Sequence, residues 1–460
     1  MRILSGSETE RVEADRARFA ALRETEFSRL EEEGHAYLDY TGSGLHARCQ
    51  LERYRALIEH ALIGNPHSHN PASVYATELI ERSRARVLEF FSADPAAYTV
   101  IFTANASAAI KLVGESFPFR ADSVYALLED NHNSVNGLVE YAKRVGATIA
   151  HLPLDAELRL DSATPRPEPG AGPSLFAFPA QSNFSGVRHP LALVDRARSA
   201  GYRVLLDAAA FAPTSRLDLG KVKADFVCLS FYKMFGFPTG VGALIARHEA
   251  LAELERPWFA GGTVDFVSVQ LGRHQLRRGA EAFEDGTPNF LGIGGVVPGL
   301  EFLEQVGVDA IGRWVRHLTA RLLDGLRALR HADGSPMVAL YGPDSVDDRG
   351  GTVAFNLLRP SGDVIEFEAI EREAGTRKIH LRGGCFCNPG AAEIAFGFPA
   401  DRTADCLDRL GPGEFSVERF GRCLGPGYAA GALRASLGVA SNEEDIDRLL
   451  AFLAAFAARP

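Results

Sequence analysis

Apolar positions in this 460-residue chain fall into short runs. Stretches with helical spacing separate most of them. The runs 98–102, 123–128, 174–179, 202–206 and 226–229 are rich in Val, Leu, Phe and Tyr. Runs of that length and composition predict buried strands. In 108–115 the apolar residues sit at helical spacing, which predicts a helix. Strand alternating with helix predicts an α/β fold with a largely parallel sheet. Each run ends in polar side chains: residues 103–107, residues 130–134, Ala180-Gln181-Ser182-Asn183, Asp207, and Ser230 followed by Lys233. In such sheets ligands bind outside the carboxyl ends of the strands. Ser107, His132, Asn183, Asp207, Ser230 and Lys233 are therefore candidate site residues.

Elsewhere the pattern is less regular. Residues 8–33 carry Phe19, Leu22, Phe27 and Leu30 at helical spacing and predict one surface helix ending before Gly34. Tyr37-Leu38-Asp39-Tyr40 predicts a short strand, broken by Thr41-Gly42-Ser43-Gly44. Residues 64–71, with His67 and His69, form a loop by composition, and 155–174 read as a surface excursion. After about residue 292 the texture changes. A long helical stretch over 296–329 is expected, then strands at 337–341 and 351–357, a helix near 364–373, a strand at 378–381 and a last amphipathic helix over 443–458. The expected organisation is an N-terminal helical segment over 1–36, a large domain over 37–292 and a smaller α+β domain over 293–460. The most unusual loop of the smaller domain is Arg382-Gly383-Gly384-Cys385-Phe386-Cys387-Asn388-Pro389-Gly390.

The net charge is -10, with acids and bases mixed along the chain, which argues against a nucleic-acid partner. No uncharged run is long enough to span a bilayer. The N-terminus turns polar and acidic at once, unlike a signal peptide. The six cysteines are too sparse for a disulfide framework and lack zinc-like pairing. A reduced, cytoplasmic protein is expected, with a free reactive thiol available to it.

Lysine is rare: Lys111, Lys143, Lys221, Lys223, Lys233 and Lys378 are all the chain has, while arginine is plentiful. Lys233 stands in the apolar, aromatic stretch Leu229-Ser230-Phe231-Tyr232-Lys233-Met234-Phe235-Gly236, after which Phe237-Pro238-Thr239-Gly240 turns the chain back. A lysine can be tuned to lose its proton and form a Schiff base, which an arginine cannot. The plainer reading is a lysine snorkelling from a strand end. Asp207 shifts the balance, because a strand-end carboxylate with a strand-end lysine is the pair a pyridoxal phosphate site needs. The lysine holds the aldehyde, and the carboxylate keeps the pyridine nitrogen protonated. The small, hydroxyl-rich turn Thr103-Ala104-Asn105-Ala106-Ser107 opens a helix and suits a phosphate, although Ser and Thr are also ordinary caps.

The motifs, in their order, resemble those of class V aminotransferases. They are similar above all to the cysteine desulfurase-like N-terminal domain of molybdenum cofactor sulfurases. The resemblance rests on Tyr37-Leu38-Asp39-Tyr40, Gly64-Asn65-Pro66-His67-Ser68, Asp130-Asn131-His132, Leu206-Asp207-Ala208-Ala209, Ala224-Asp225-Phe226 and Ser230-Phe231-Tyr232-Lys233. It also rests on Pro179-Ala180-Gln181-Ser182-Asn183-Phe184-Ser185-Gly186-Val187-Arg188, Phe283-Glu284-Asp285-Gly286-Thr287 and Gly384-Cys385-Phe386-Cys387-Asn388. The resemblance implies a fold type I transferase, with a mostly parallel seven-stranded sheet and a smaller C-terminal α+β domain. Lys233 would bind the cofactor and shuttle protons at the substrate α-carbon. Asp207 would pair with the pyridine nitrogen, His132 would stack on the ring, and Asn183 would lie near the ring hydroxyl and the substrate. Ser107, Ser230, Tyr232 and the N–H of Ala106 would hold the phosphate, joined by Thr287 from a second subunit of a homodimer. Arg382 would clamp the substrate carboxylate.

The spacing of Cys387 from Arg382 matches that of a desulfurase cysteine. The implied reaction takes sulfur from L-cysteine to a Cys387 persulfide and releases L-alanine. On an extended loop Cys385 would face away from Cys387, as a supporting residue or relay thiol. The pair could instead be a packing segment, since free cysteine is often simply a small hydrophobe. C–S lysis, selenocysteine lysis, transamination or epimerisation on the same scaffold are the enzymatic alternatives, and none needs a thiol at Cys387. A sulfur-relay or scaffold protein without catalysis is the alternative from another class. Three departures stand out. Ala210 replaces a glutamine common in desulfurases, Asn105 replaces a glycine, and the chain ends at Pro460, without the second module of complete sulfurases. Transfer to a separate acceptor protein or small molecule is therefore expected.

Overall fold

The computed structural model describes residues 6–161, 167–411, 413–425 and 428–458. Residues 162–166 of the expected surface excursion lie outside them. Seven strands form the main sheet: β1 (Tyr98–Thr103), β2 (Val124–Leu128), β3 (Thr148–Leu152), β4 (Leu175–Pro179), β5 (Arg203–Asp207), β6 (Phe226–Ser230) and β7 (Gly242–Arg247). Their spatial order is β1-β7-β6-β5-β4-β2-β3. The run from β6 to β3 pairs in parallel. β7 lies antiparallel between β1 and β6, because the chain turns back through 237–240.

A parallel sheet is covered on both faces, and side chains alternate between them. Phe178, Leu206, Val227 and Leu229 enter one apolar cluster, while Ala177, Leu205, Phe226 and Cys228 enter another. Both faces being apolar, the strand ends are left for polar chemistry.

A second sheet holds β8 (Val338–Tyr341), β9 (Thr352–Leu357), β10 (Arg382–Gly384) and β11 (Ala432–Ser436) in the order β8-β9-β11-β10. All its pairs are antiparallel. The N-terminal segment is sewn to this sheet. Asp39 bridges to Ser436 of this sheet, and just before it Ala36–Tyr37 pairs in parallel with Ile379–His380 in a two-stranded sheet of its own. The expected strand over 37–40 is thus shorter and shifted.

Two expected helices are broken. The stretch 8–33 contains α1 (Gly6–Glu26) and a single turn at Arg29–Glu32. The break turns both Phe27 and Leu30 into the core, with Phe27 edge-on to Phe302. The stretch 296–329 divides at Gly307 (φ +78°) into Val296–Val306 and Val308–Ala328. The expectation of wholly reduced cysteines is also corrected. Cys406 and Cys423 form a disulfide between the helices Ala400–Arg409 and Val417–Leu424. Their separation of 17 residues gave no sign that a helical hairpin brings them together. Cys49, Cys228, Cys385 and Cys387 are free. Among the described residues no helix is long and apolar enough to cross a membrane.

The helix Val296–Val306 supports the short helix that carries Lys233. A Cβ on Gly299 would fall 2.2 Å from Cδ2 of Phe235, whose ring stacks on Phe231. Overpacking of this kind costs about 1–3 kcal/mol. Gly299→Ala is therefore expected to lose about that much stability, read as a lower urea midpoint at unchanged slope.

Candidate active site

β6 ends at Ser230, and the chain enters the five-residue helix Phe231–Phe235. Gly236 (φ +75°) ends it against the 45–46 backbone, where a Cβ would fall 2.3 Å from His46 N. Lys233 is thereby held beside the end of β5, where Asp207 is buried and its Oδ1 accepts the Ala209 N–H at 3.0 Å. Burial pushes the Lys233 ammonium toward its neutral form; Asp207 opposes this and Arg434 reinforces it. His132 follows β2. Its Nδ1 accepts the Ser134 N–H at 3.1 Å, so the neutral ring carries its proton on Nε2. Burial also lowers the proton affinity of His132, against the pull of Asp207.

The turn after β1 caps the helix Ala106–Ser116. Asn105 Oδ1 accepts the Ala108 N–H at 2.9 Å. Its φ of -175° is extended backbone, so the glycine expected there is not required. The glycine that matters is Gly242 on β7, where a Cβ would fall 2.5 Å from Asn105 Cα. Ser230 Oγ accepts the Ala106 N–H at 2.9 Å, and Ser107 Oγ lies 2.6 Å from Ser134 Oγ. Ser134 is a hydroxyl the sequence reading passed over, because it belongs to the turn behind His132.

The cysteine loop is not extended, contrary to expectation. Phe386 (φ +55°) and Cys387 (φ +56°) both adopt left-handed backbone. Such residues cost of order 1–3 kcal/mol each and persist where surroundings over-determine them. Here Cys387 O accepts the Asn133 N–H at 2.7 Å, and Phe386 O accepts Asn183 Nδ2 at 2.6 Å. Asn388 Nδ2 donates to Asp130 Oδ1 at 2.7 Å and to Asn183 Oδ1 at 3.0 Å. The Phe386 ring packs on Phe184 and under the Arg434 guanidinium. Cys385 is tied elsewhere, its Sγ donating to Ala430 O at 3.3 Å, and burial pushes its thiol up to about 11. Cys387 is exposed.

Arg382 and Arg434 stand directly opposite each other on β10 and β11. Arg382 donates to Asp39 through Nε and Nη2, and Arg434 Nη2 donates to Asp39 Oδ1 at 3.1 Å. Arg434 is buried, and its Nη1 donates to Asn183 O at 3.0 Å. The sequence reading missed Arg434. The only available signal was one arginine within the small-residue run Ala432-Leu433-Arg434-Ala435-Ser436.

One cleft gathers His132, Asn183, Tyr232, Lys233, Arg382, Cys387 and Arg434. Asp207 acts on it electrostatically through Lys233 and His132. Ser107, Ala106 and Ser230 sit at the neighbouring strand ends. Thr287 is not in that cleft; it is exposed and lines a separate groove with Thr103, Ala104 and Gly240. Ala210, at the departure noted above, has its carbonyl bound by Gln181 Nε2 at 3.0 Å. Among the described residues no cluster of side chains could hold a metal ion.

The chain belongs to the class-V aminotransferase family, which it matches over residues 36–449. Its relatives include the molybdenum cofactor sulfurase of Arabidopsis thaliana, 35% identical over 95% of this chain and 58% of that protein. That of Bos taurus is 35% identical over 94% of this chain and 51% of the relative. The chain thus spans little more than half the length of these relatives. Among solved structures, a cysteine desulfurase from Thermococcus onnurineus superposes with a TM-score of 0.78 at 25% identity, covering 95% of this chain and 98% of that one. An Escherichia coli cysteine desulfurase superposes with a TM-score of 0.71 at 22% identity, over 95% and 97% of the two chains, and shows the shared fold. The architecture is that of fold type I enzymes, a mostly parallel seven-stranded sheet with a smaller α+β unit.

Burial of Lys233 gives a test that needs no substrate. The folded chain lowers its proton affinity below the ordinary value of 10.5. The neutral amine therefore favours folding: its contribution is full above that value and is lost as pH falls to the lowered one. Lys233→Met has no such proton. In the ligand-free protein the variant is expected to be more stable than the wild type at pH 8, with the gap closing toward pH 10.5, as read by urea unfolding.

Proposed function

We propose that this chain is a pyridoxal phosphate-dependent cysteine desulfurase that moves sulfur from L-cysteine to Cys387 and releases L-alanine. The observation that carries this reading is the exposed Cys387 thiol, held on a hydrogen-bonded loop in the same cleft as Lys233. Lyases and aminotransferases have no use for a thiol there.

The residues present fit the cofactor. A partly buried lysine pushed toward its neutral form suits an aldehyde, and the buried Asp207 carboxylate suits a pyridinium nitrogen. His132 would lie against the ring. Asn183 has one donor and one acceptor site left after binding Phe386 and Asn388, enough for the ring hydroxyl or the substrate. Ser107, Ser230 and Tyr232 would hold the phosphate, with the Ala106 N–H fixing the Ser230 oxygen so that its hydroxyl hydrogen is free for the anion, and Thr287 would do so from a second copy. When bound, the cofactor supplies the electron sink that labilises the substrate α-proton and C–S bond.

The chain's own groups do the rest. Neutral Lys233 accepts the proton at the substrate Cα and returns it. His132 keeps its Nε2–H available as a donor within the cleft. Arg382 and Arg434 take the carboxylate. Cys387 Sγ forms a bond to the substrate sulfur as the Cβ–S bond breaks, and the thiol hydrogen is balanced in the methyl group of alanine. No external oxidant is needed. The persulfide then passes to a sulfur acceptor, a protein or a small molecule.

A homodimer is part of this reading. Phe266, Val269 and Leu271 are exposed on the hairpin formed by Val264–Ser268 and Arg273–Leu276, an apolar surface that a second copy would cover. The separation of the seven-stranded from the four-stranded sheet supports a division near residue 292 into a larger and a smaller domain. The four free cysteines favour a reducing, cytoplasmic setting, while the Cys406–Cys423 disulfide runs against it.

The test is mass spectrometry after brief exposure to L-cysteine, with alanine and pyruvate quantified. One added sulfur on the Cys387 peptide, with alanine as product, is expected. Cys387→Ser is expected to keep the cofactor absorbance and to form no alanine. Pyruvate with an unmodified Cys387 would make the protein a lyase.

A further inference from the structure

Asp39 has no part in the chemistry above, yet it binds both arginines of the cleft. It belongs to the N-terminal segment, outside both sheets. Leu38 O accepts the Ser436 N–H at 2.7 Å and Tyr40 N–H donates to Ser436 O at 3.3 Å, so its backbone is fixed to the edge of β11. From there one buried carboxylate serves two arginines. Arg382 donates to it through Nε at 3.0 Å and through Nη2 at 2.5 Å. Arg434 donates through Nη2 at 3.1 Å. The Arg382 pairing is bidentate, with Nε also reaching Oδ1 at 3.1 Å, and fixes the plane of that guanidinium; Arg434 is held by its one bond to Asp39 and by Nη1 on Asn183 O.

Two further observations point the same way. The backbone at Gly42 is pressed against this group: a Cβ there would fall 2.5 Å from Asp39 Oδ2 and 2.7 Å from Arg382 Nη2. Arg434 Nε is buried and has no hydrogen-bond partner. Two guanidiniums against one carboxylate leave one positive charge on the wall of the cleft that holds Lys233 and Cys387. That excess matches a single carboxylate.

We propose that Asp39 is a positioning residue that holds Arg382 and Arg434 as a preset clamp for the α-carboxylate of the substrate. This rests on the amino-acid reading of the cleft given above. Positioning and simple charge predict opposite results. Without Asp39 the clamp gains net positive charge, so Coulomb attraction alone would tighten carboxylate binding. Loss of positioning would weaken it, because the ordering of two long side chains would fall to the binding step.

The experiment compares wild type, Asp39→Asn and Gly42→Ala as cofactor-loaded protein. L-alanine and L-alaninamide, which lacks the carboxylate, are titrated by calorimetry, and alanine formation from L-cysteine is measured alongside. The wild type is expected to bind alanine at least about tenfold more tightly than the amide, and Asp39→Asn to lose most of that ratio. In Asp39→Asn the KM for L-cysteine rises about tenfold or more while kcat stays within about threefold, the signature of lost binding rather than lost chemistry. Gly42→Ala keeps all three charges but displaces the pair, so it shows the same loss and serves if Asp39→Asn does not fold. An unchanged or increased ratio in the variants overturns the proposal, as does a wild type that does not distinguish alanine from its amide. If the wild type forms no alanine from L-cysteine but keeps the ratio, the sulfur-transfer reading falls and the clamp stands.

Discussion

The buried carboxylate of Asp130 ties the site together. It lies just beyond β2 and accepts hydrogen bonds from Ser182 Oγ (2.8 Å), Asn388 Nδ2 (2.7 Å) and His189 Nε2 (3.1 Å). Those donors come from the segment after β4 and from the cysteine loop of the smaller unit. A buried carboxylate is tolerable only when its lone pairs are satisfied, so the three segments cannot part without a large penalty. Asn388 also caps the helix Pro389–Phe396 through its Oδ1. The loop is thus anchored to the main sheet at one end and to its own helix at the other.

Around this anchor the fold uses burial to set charge. The parallel strands are apolar on both faces, so polar side chains collect where the strands stop. Lys233 and His132 meet there among Asp207, Arg434 and Arg382, and desolvation disfavours the charged form of each. Both are thereby left neutral over a wider pH range than usual, which suits groups that must exchange protons.

Much of this was legible in the chain. Asp207, Ser230, Lys233, His132 and Asn183 could be found because short apolar runs end at or just before them, and a parallel sheet brings such ends together. Other features left no local trace. Arg434 lies on a strand of small residues without an apolar signature, and its importance comes from Arg382 opposite and Asp39 beside it. The break at Gly307 and the Cys406–Cys423 pairing depend on packing between distant segments. The left-handed turn of the cysteine loop was not legible, because neither Phe386 nor Cys387 is a residue that favours left-handed backbone. Tertiary hydrogen bonds impose that conformation.

Under the proposed sulfur transfer, the anchors of that loop have a further consequence. The polar ties at its tip run through the carbonyls of Phe386 and Cys387 and the amide of Asn388, and Cys385 Sγ adds one to Ala430 O. None uses the Cys387 sulfur. The tether is therefore separate from the hook. The side chain can be lengthened by an atom and shortened again while the backbone beneath it keeps the same bonds. Loaded and unloaded forms of the loop should share one conformation, and recognition of the loaded form would then fall to the sulfur itself.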